Sequence, residues 1–174
     1  MRAFISLELD EEAKQEILRI QKEIKKSDLF EGKLTEKGNL HLTLKFLGEI
    51  EEETLERTKE KLKEIKFKSF DAELGEIGIF SDRILWVKLE GKAIELQEEI
   101  DEKLKEIFKR EARFMSHITI ARIKKIMDKK NLFLFFKRFR AGKIKINIDR
   151  FLLKSSKLTP EGPIYEPIEE YKLI

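Results

Sequence analysis

The chain has 174 residues, with 37 Lys and Arg against 34 Asp and Glu, a net charge of +3, two His and no Cys. That composition excludes a disulfide framework, a thiolate nucleophile and a Cys-rich zinc site. Three Pro and eight Gly exclude low-complexity sequence, and 41% hydrophobic content suffices for a core of one ordinary domain, burying about 70% of the unfolded surface.

Residues 2–9 alternate, with Ala3, Ile5, Leu7 and Leu9 on one face, and predict a strand. Asp10 then caps a helix over about 11–26, whose Ala13, Ile17, Ile20 and Ile24 recur at helical spacing. Residues 27–39, holding Gly32, Gly38 and Asn39, read as a loop. A strand over 40–47, a charged helix near 51–65 and a strand near 69–80 complete this half. The order then restarts. A strand at 83–90 carries Trp86, and a helix over 93–109 has Ile94, Leu96, Ile100, Leu104 and Phe108 as its apolar set. Residues 115–122 form the next strand, Asp128 caps a short helix to about Phe139, and 143–153 and 164–173 are strand-like.

Strand–helix–strand–helix–strand therefore occurs twice, in halves of about 1–80 and 83–155 with a final strand at 164–173. The order predicts a single α+β domain over 1–174, built as two pseudo-twofold-related lobes. Two sheet lobes facing each other would account for the repeat. One continuous sheet with alternating helices is the other arrangement this order allows. No apolar stretch approaches the roughly 20 residues of a spanning helix. The N-terminus runs straight into an acidic helix, unlike a signal peptide. A cytoplasmic protein without membrane contact is the simplest expectation. Abundant charge with only three Asn and three Gln points to a heat-adapted source.

Both histidines lie on corresponding strands, in Leu40-His41-Leu42-Thr43-Leu44 and Ser116-His117-Ile118-Thr119-Ile120. Residues i and i+2 of a strand share a face, so His41 and Thr43 point one way while Leu40, Leu42, Leu44 and Phe46 point to the core. His117 and Thr119 are paired likewise, opposite Ile118 and Ile120. With six Thr in the chain, both His carrying Thr at +2 has a chance on the order of one in a thousand, so the repeat is a signal. Imidazole titrates near neutrality, so one His can act as base while the other acts as acid. Displacement at phosphorus needs that arrangement, and a hydroxyl beside each His can donate to a non-bridging oxygen. Metal binding is the alternative, but two His without Cys or nearby carboxylates form a thin ligand set.

Asn39-Leu40-His41-Leu42-Thr43-Leu44-Lys45-Phe46-Leu47-Gly48 and Ser116-His117-Ile118-Thr119-Ile120-Ala121-Arg122 resemble the paired HxTx motifs of the 2H phosphoesterases. More narrowly, they resemble the RNA 2′,3′-cyclic phosphodiesterases, also called 2′–5′ RNA ligases. Arg2-Ala3-Phe4-Ile5, Arg83-Ile84-Leu85-Trp86-Val87, Ser156-Lys157-Leu158 and Gly162-Pro163-Ile164-Tyr165 extend the likeness over nearly the whole chain. The resemblance implies a bilobal fold, each lobe a mainly antiparallel sheet with helices on the outside and the active-site cleft between them. It implies cofactor-free, metal-independent opening of an RNA 2′,3′-cyclic phosphate to a 2′-phosphomonoester. It also implies His41 as proton donor, His117 as proton acceptor, and Thr43 and Thr119 as holders of phosphate oxygens. Some members also join such an end to a 5′-hydroxyl. Tyr165 and Phe46 carry rings able to stack on a base, although core packing is the default for each. Arg122 is implied as a phosphate contact, yet strict alternation from His117 puts it on the opposite face. Either the strand bulges near Ala121 or Arg122 serves elsewhere.

Charge is unevenly placed. From Arg113 to Lys157 there are fourteen Lys and Arg against Asp128 and Asp149, a local +12 that leaves −9 for the rest. Such a block suits a polyanion, or is a solvated face that the acidic remainder neutralises. The expected partner is RNA with a 2′,3′-cyclic phosphate end, such as a tRNA fragment, met by a monomer. A non-catalytic RNA-binding protein using residues 113–157 is the alternative function.

Overall fold

The computed structural model describes residues 1–174. Nine strands and four helices follow in the order β1 (Arg2–Glu8), α1 (Glu11–Lys26), β2 (Phe30–Leu34), β3 (His41–Glu49), α2 (Glu52–Lys63), β4 (Phe70–Phe80), β5 (Ile84–Glu90), α3 (Ala93–Leu104), β6 (His117–Ile126), α4 (Lys129–Arg138), β7 (Ile146–Ile148), β8 (Arg150–Thr159) and β9 (Gly162–Lys172). Asp10 caps α1 by accepting from the Ala13 N–H at 2.8 Å, and Asp128 caps α4 by accepting from the Asn131 N–H at 3.0 Å. Ala13, Ile17, Ile20 and Ile24 of α1 are fully buried, in one apolar cluster with Leu40, Leu42 and Leu44 of β3 and Ile118 and Ile120 of β6. The opposite face of these two strands carries His41, Thr43, His117 and Thr119.

Strand order is β7-β4-β5-β6-β3-β1-β8-β9, with β2 also on β6, and every pairing is antiparallel. Both arrangements foreseen from the sequence are thus combined, since the two lobes are halves of one curled sheet. They meet where β3 touches β6 at the single ladder pair Leu42–Ile118. Beyond that pair the strands part, and β2 takes over the vacated edge of β6 from Ala121 to Ile126. One strand of each half crosses over. β4 pairs with β5 of the second half, and β8 pairs with β1 of the first.

Four sequence expectations need correction. The segment 27–39 is not all loop, because it contains β2. Gly32 is required there: a Cβ would lie 2.2 Å from the Arg122 carbonyl oxygen on β6. Residues 143–153 are not one strand, since the chain passes at Asp149 from the β4 edge to the β1 edge. The third helix ends at Leu104, whose carbonyl accepts from the Ile107 and Phe108 N–H groups as the chain turns off. Within it Ile94 is 44% exposed, and the inward place goes to Gln97. No helix is long and apolar enough to cross a membrane.

Candidate active site

Each histidine ring is held in the same way. The Nδ1–H of His41 donates to the Asn39 carbonyl at 2.7 Å, and that of His117 donates to the Met115 carbonyl at 2.8 Å. A carbonyl only accepts, so Nδ1 carries the hydrogen in both neutral rings and Nε2 is left for chemistry. The Thr43 hydroxyl lies 3.0 Å from His41 Nε2. His41, Thr43, His117 and Thr119 all line one cleft of about 830 Å³. Aromatic rings steady the imidazoles, with Phe4 and Tyr165 each 5.2 Å from the His41 ring and Phe80 5.0 Å from that of His117.

Both motif strands bulge three residues after the histidine. Against β1 the ladder passes from Thr43 to Lys45 and omits Leu44, and against β5 it passes from Thr119 to Ala121 and omits Ile120. An extra residue reverses the facing of all that follows. Arg122 therefore lines the cleft with His117 and Thr119, and no carboxylate pairs with it. Phe46, expected in the core, is 68% exposed and lines the cleft from the other lobe. Lys45 turns inward in its place and is buried. Phe46 and Arg122 stand five residues after their respective histidines, so the pseudo-twofold sets an aromatic ring opposite a guanidinium.

Burial is the main influence on His41 and pushes its pKa below the usual value. The Asn39 carbonyl and the Glu8 carboxylate oppose that shift, while the positive charge of Lys154 adds to it. Glu8 stands beside His41 in the β1–β3 ladder, forms an ion pair with Lys154 and accepts from the Ser6 hydroxyl at 3.2 Å. At the cleft mouth the β8–β9 turn is tied to the facing rim. Lys33 Nζ donates to the Glu161 carbonyl at 2.6 Å, and the Asn39 amide donates to that of Pro163 at 3.2 Å. Arg2 adds a further cation to the wall, and burial raises the Tyr165 phenol above its ordinary pKa.

The family model for LigT-like phosphoesterases matches twice, over residues 7–86 and 87–165. The chain belongs to the LigT-like phosphoesterase family. It is 38% identical to the RNA 2′,3′-cyclic phosphodiesterase of Methanocaldococcus jannaschii, over 98% of this chain and 100% of that protein. Against the enzyme of that name from Archaeoglobus fulgidus it is 34% identical, over 99% of this chain and 100% of that one. A crystal structure of a Thermus thermophilus protein superposes with a TM-score of 0.82 at 26% identity, covering 99% of this chain and 98% of that one.

In this LigT-like phosphoesterase the five residues singled out by sequence, His41, Thr43, His117, Thr119 and Arg122, all line the cleft. Sequence reasoning missed the cleft-facing position of Phe46, the Glu8–Lys154 pair beside His41, and the closing turn at Glu161. No three His, Asp or Glu side chains gather into a group able to hold a metal ion. Of the fourteen Lys and Arg from Arg113 to Lys157, only Lys129, Lys145, Arg150 and Lys154 have a carboxylate partner. The acidic remainder leaves the other ten cations unpaired.

Proposed function

We propose that the protein opens 2′,3′-cyclic phosphates at RNA 3′ ends and leaves 2′-phosphomonoesters. The observation that carries this reading is the pair of imidazoles, each pinned through Nδ1 to a backbone carbonyl and each lining the same cleft. Water attacks phosphorus in line with the 3′-oxygen, and His117 Nε2 takes the proton from water as the new P–O bond forms. The P–O3′ bond breaks, and His41 Nε2–H gives its proton to the departing oxygen. Thr43 and Thr119 donate to the non-bridging oxygens, and Arg122 neutralises the charge gathering there. Burial keeps His41 neutral in the free enzyme, and the bound phosphate anion raises its pKa so that it is charged when needed. The same two groups serve ligation, in which a 5′-hydroxyl replaces water as the nucleophile, the P–O3′ bond breaks and a 2′–5′ linkage forms. Phe46, exposed on the cleft wall, stacks on the terminal base.

The names of the archaeal relatives support the activity, and the unpaired cations between Arg113 and Lys157 support RNA as substrate. Monomeric action in the cytoplasm on tRNA fragments and similar ends is part of the same proposal. The test is product analysis with an oligonucleotide bearing a 2′,3′-cyclic phosphate, in EDTA, with and without a 5′-hydroxyl partner. A 2′-phosphate product that persists in EDTA and disappears in His117→Ala is expected. Tight, salt-sensitive binding without turnover would overturn the assignment in favour of a non-catalytic RNA-binding protein.

A further inference from the structure

Two buried polar clusters lie behind the sheet, outside the chemistry above. Gln21 of α1 is 3% exposed, and its amide donates to the carbonyls of Ile120 and Thr35, each at 2.8 Å. Ile120 is the bulged residue that turns Arg122 into the cleft, and Thr35 stands six residues before His41. On the other side Lys45, buried by the Leu44 bulge, pairs with Asp101 of α3 at 2.5 Å and donates to the Lys109 carbonyl at 2.7 Å. The Asp101 carboxylate also accepts from the Glu111 N–H at 2.7 Å and from Gln97 at 2.8 Å. Glu111 stands six residues before His117, and Gln21 and Gln97 each stand twenty residues before their histidine. Each cluster therefore joins the bulge of one motif strand to the segment that enters the other motif. Desolvation makes such interior groups costly unless every partner is met, which gives the bulges a defined position.

We propose that Gln21, and the Lys45–Asp101–Gln97 cluster that mirrors it, are positioning residues. They hold the two bulges, and through them aim Arg122 and Phe46 at the substrate. The inference rests on the functional reading only in naming the cleft as the substrate site. Gln21 acts through Arg122, so its loss mimics the loss of Arg122 without removing any group that touches phosphate.

The test uses Gln21→Leu, Gln21→Met, Arg122→Ala and the corresponding double variants, with inorganic phosphate as probe in calorimetry. Either Gln21 variant is expected to weaken phosphate binding about ten- to hundredfold, the scale of a lost charge-assisted hydrogen bond. It should add nothing in the Arg122→Ala background. Full additivity, or wild-type phosphate affinity in a folded Gln21 variant, would overturn the proposal. A crystal structure of a Gln21 variant with Arg122 still lining the cleft would do the same. If neither variant folds, hydrogen exchange of the Gln21 side-chain amide in the wild type decides. It should be protected and slow further with phosphate, and free-amide exchange unmoved by phosphate overturns the idea. Phosphate binding without turnover of a cyclic phosphate would count against the functional reading and leave this inference standing.

Discussion

Leu42 faces Ile118 in the one ladder pair that joins β3 to β6, so the middle residue of each His-x-Thr triplet sits beside the pseudo-twofold axis. Continued in antiparallel register, that pair sets His41 across from Thr119 and Thr43 across from His117. Each lobe thus brings one imidazole and one hydroxyl to the axis. Farther out the symmetry fails, and one lobe offers Phe46 where the other offers Arg122.

Acid and base roles separate by leaving group. His41→Ala and His117→Ala should each lower kcat on a nucleoside 2′,3′-cyclic phosphate by about 10²–10⁴-fold while the thermal transition is kept. On an aryl phosphodiester, whose phenolate departs with little protonation, His41→Ala recovers turnover and His117→Ala does not. Steady-state rates on the two substrates check this, and recovery in the other variant reverses the roles.

Phe46→Ala should raise KM for adenosine 2′,3′-cyclic phosphate by roughly 5- to 150-fold, the equivalent of about 1–3 kcal/mol of stacking. The value of kcat should stay near that of the parent, because the ring touches no reacting atom. An unchanged KM would place the base elsewhere, with Tyr165 the next ring to test.

The depressed pKa of His41 makes stability depend on pH. The folded state binds the His41 proton more weakly than the unfolded chain, whose imidazole titrates near about 6.5. This contribution is therefore complete above that pH and is lost as pH falls through the lower folded value. Between about pH 7 and 5, Tm of the wild type should fall more than that of His41→Asn. Parallel curves would show that burial leaves the His41 pKa unmoved.

Salt dependence reports on the unpaired cations. A plot of log kcat/KM against log salt should be steep for an oligonucleotide and shallower for a mononucleotide cyclic phosphate. Replacing Lys124, Lys125, Lys137 or Arg138 with Ala should reduce the oligonucleotide slope by about 0.7 for each phosphate contact removed. Slopes equal to the parent's would take the RNA off this surface.

Gly32→Ala drives a methyl group into the Arg122 carbonyl, so β2 must shift away from β6. A destabilisation of about 1–3 kcal/mol is expected in a denaturant titration, the range for overpacked sites. Unchanged stability would show that β2 has room to move.

The α1 helix was legible because its cap and four buried residues are local signals, and the histidine strands because alternation pairs each His with its Thr. β2 was hidden. Three of its five residues are exposed, its centre is a glycine, and its partner strand lies far along the chain. The facing of Phe46 and Arg122 was misjudged or left open because a bulge is decided by tertiary contacts. Burial of Lys45 against Asp101 has no mark in the β3 sequence. A usable trace did exist, since two of the three glutamines precede the two histidines by the same interval.

The crossing of β4 and β8 has a consequence for how the molecule comes apart. Neither repeat is self-sufficient, because each completes the sheet of its twin. A chain cut near residue 81 yields two fragments with bare hydrogen-bonding margins that invite mispairing, unless they find one another. Unfolding is therefore expected as a single event, and the interlocked strands make the distance between His41 and His117 a property of the whole chain.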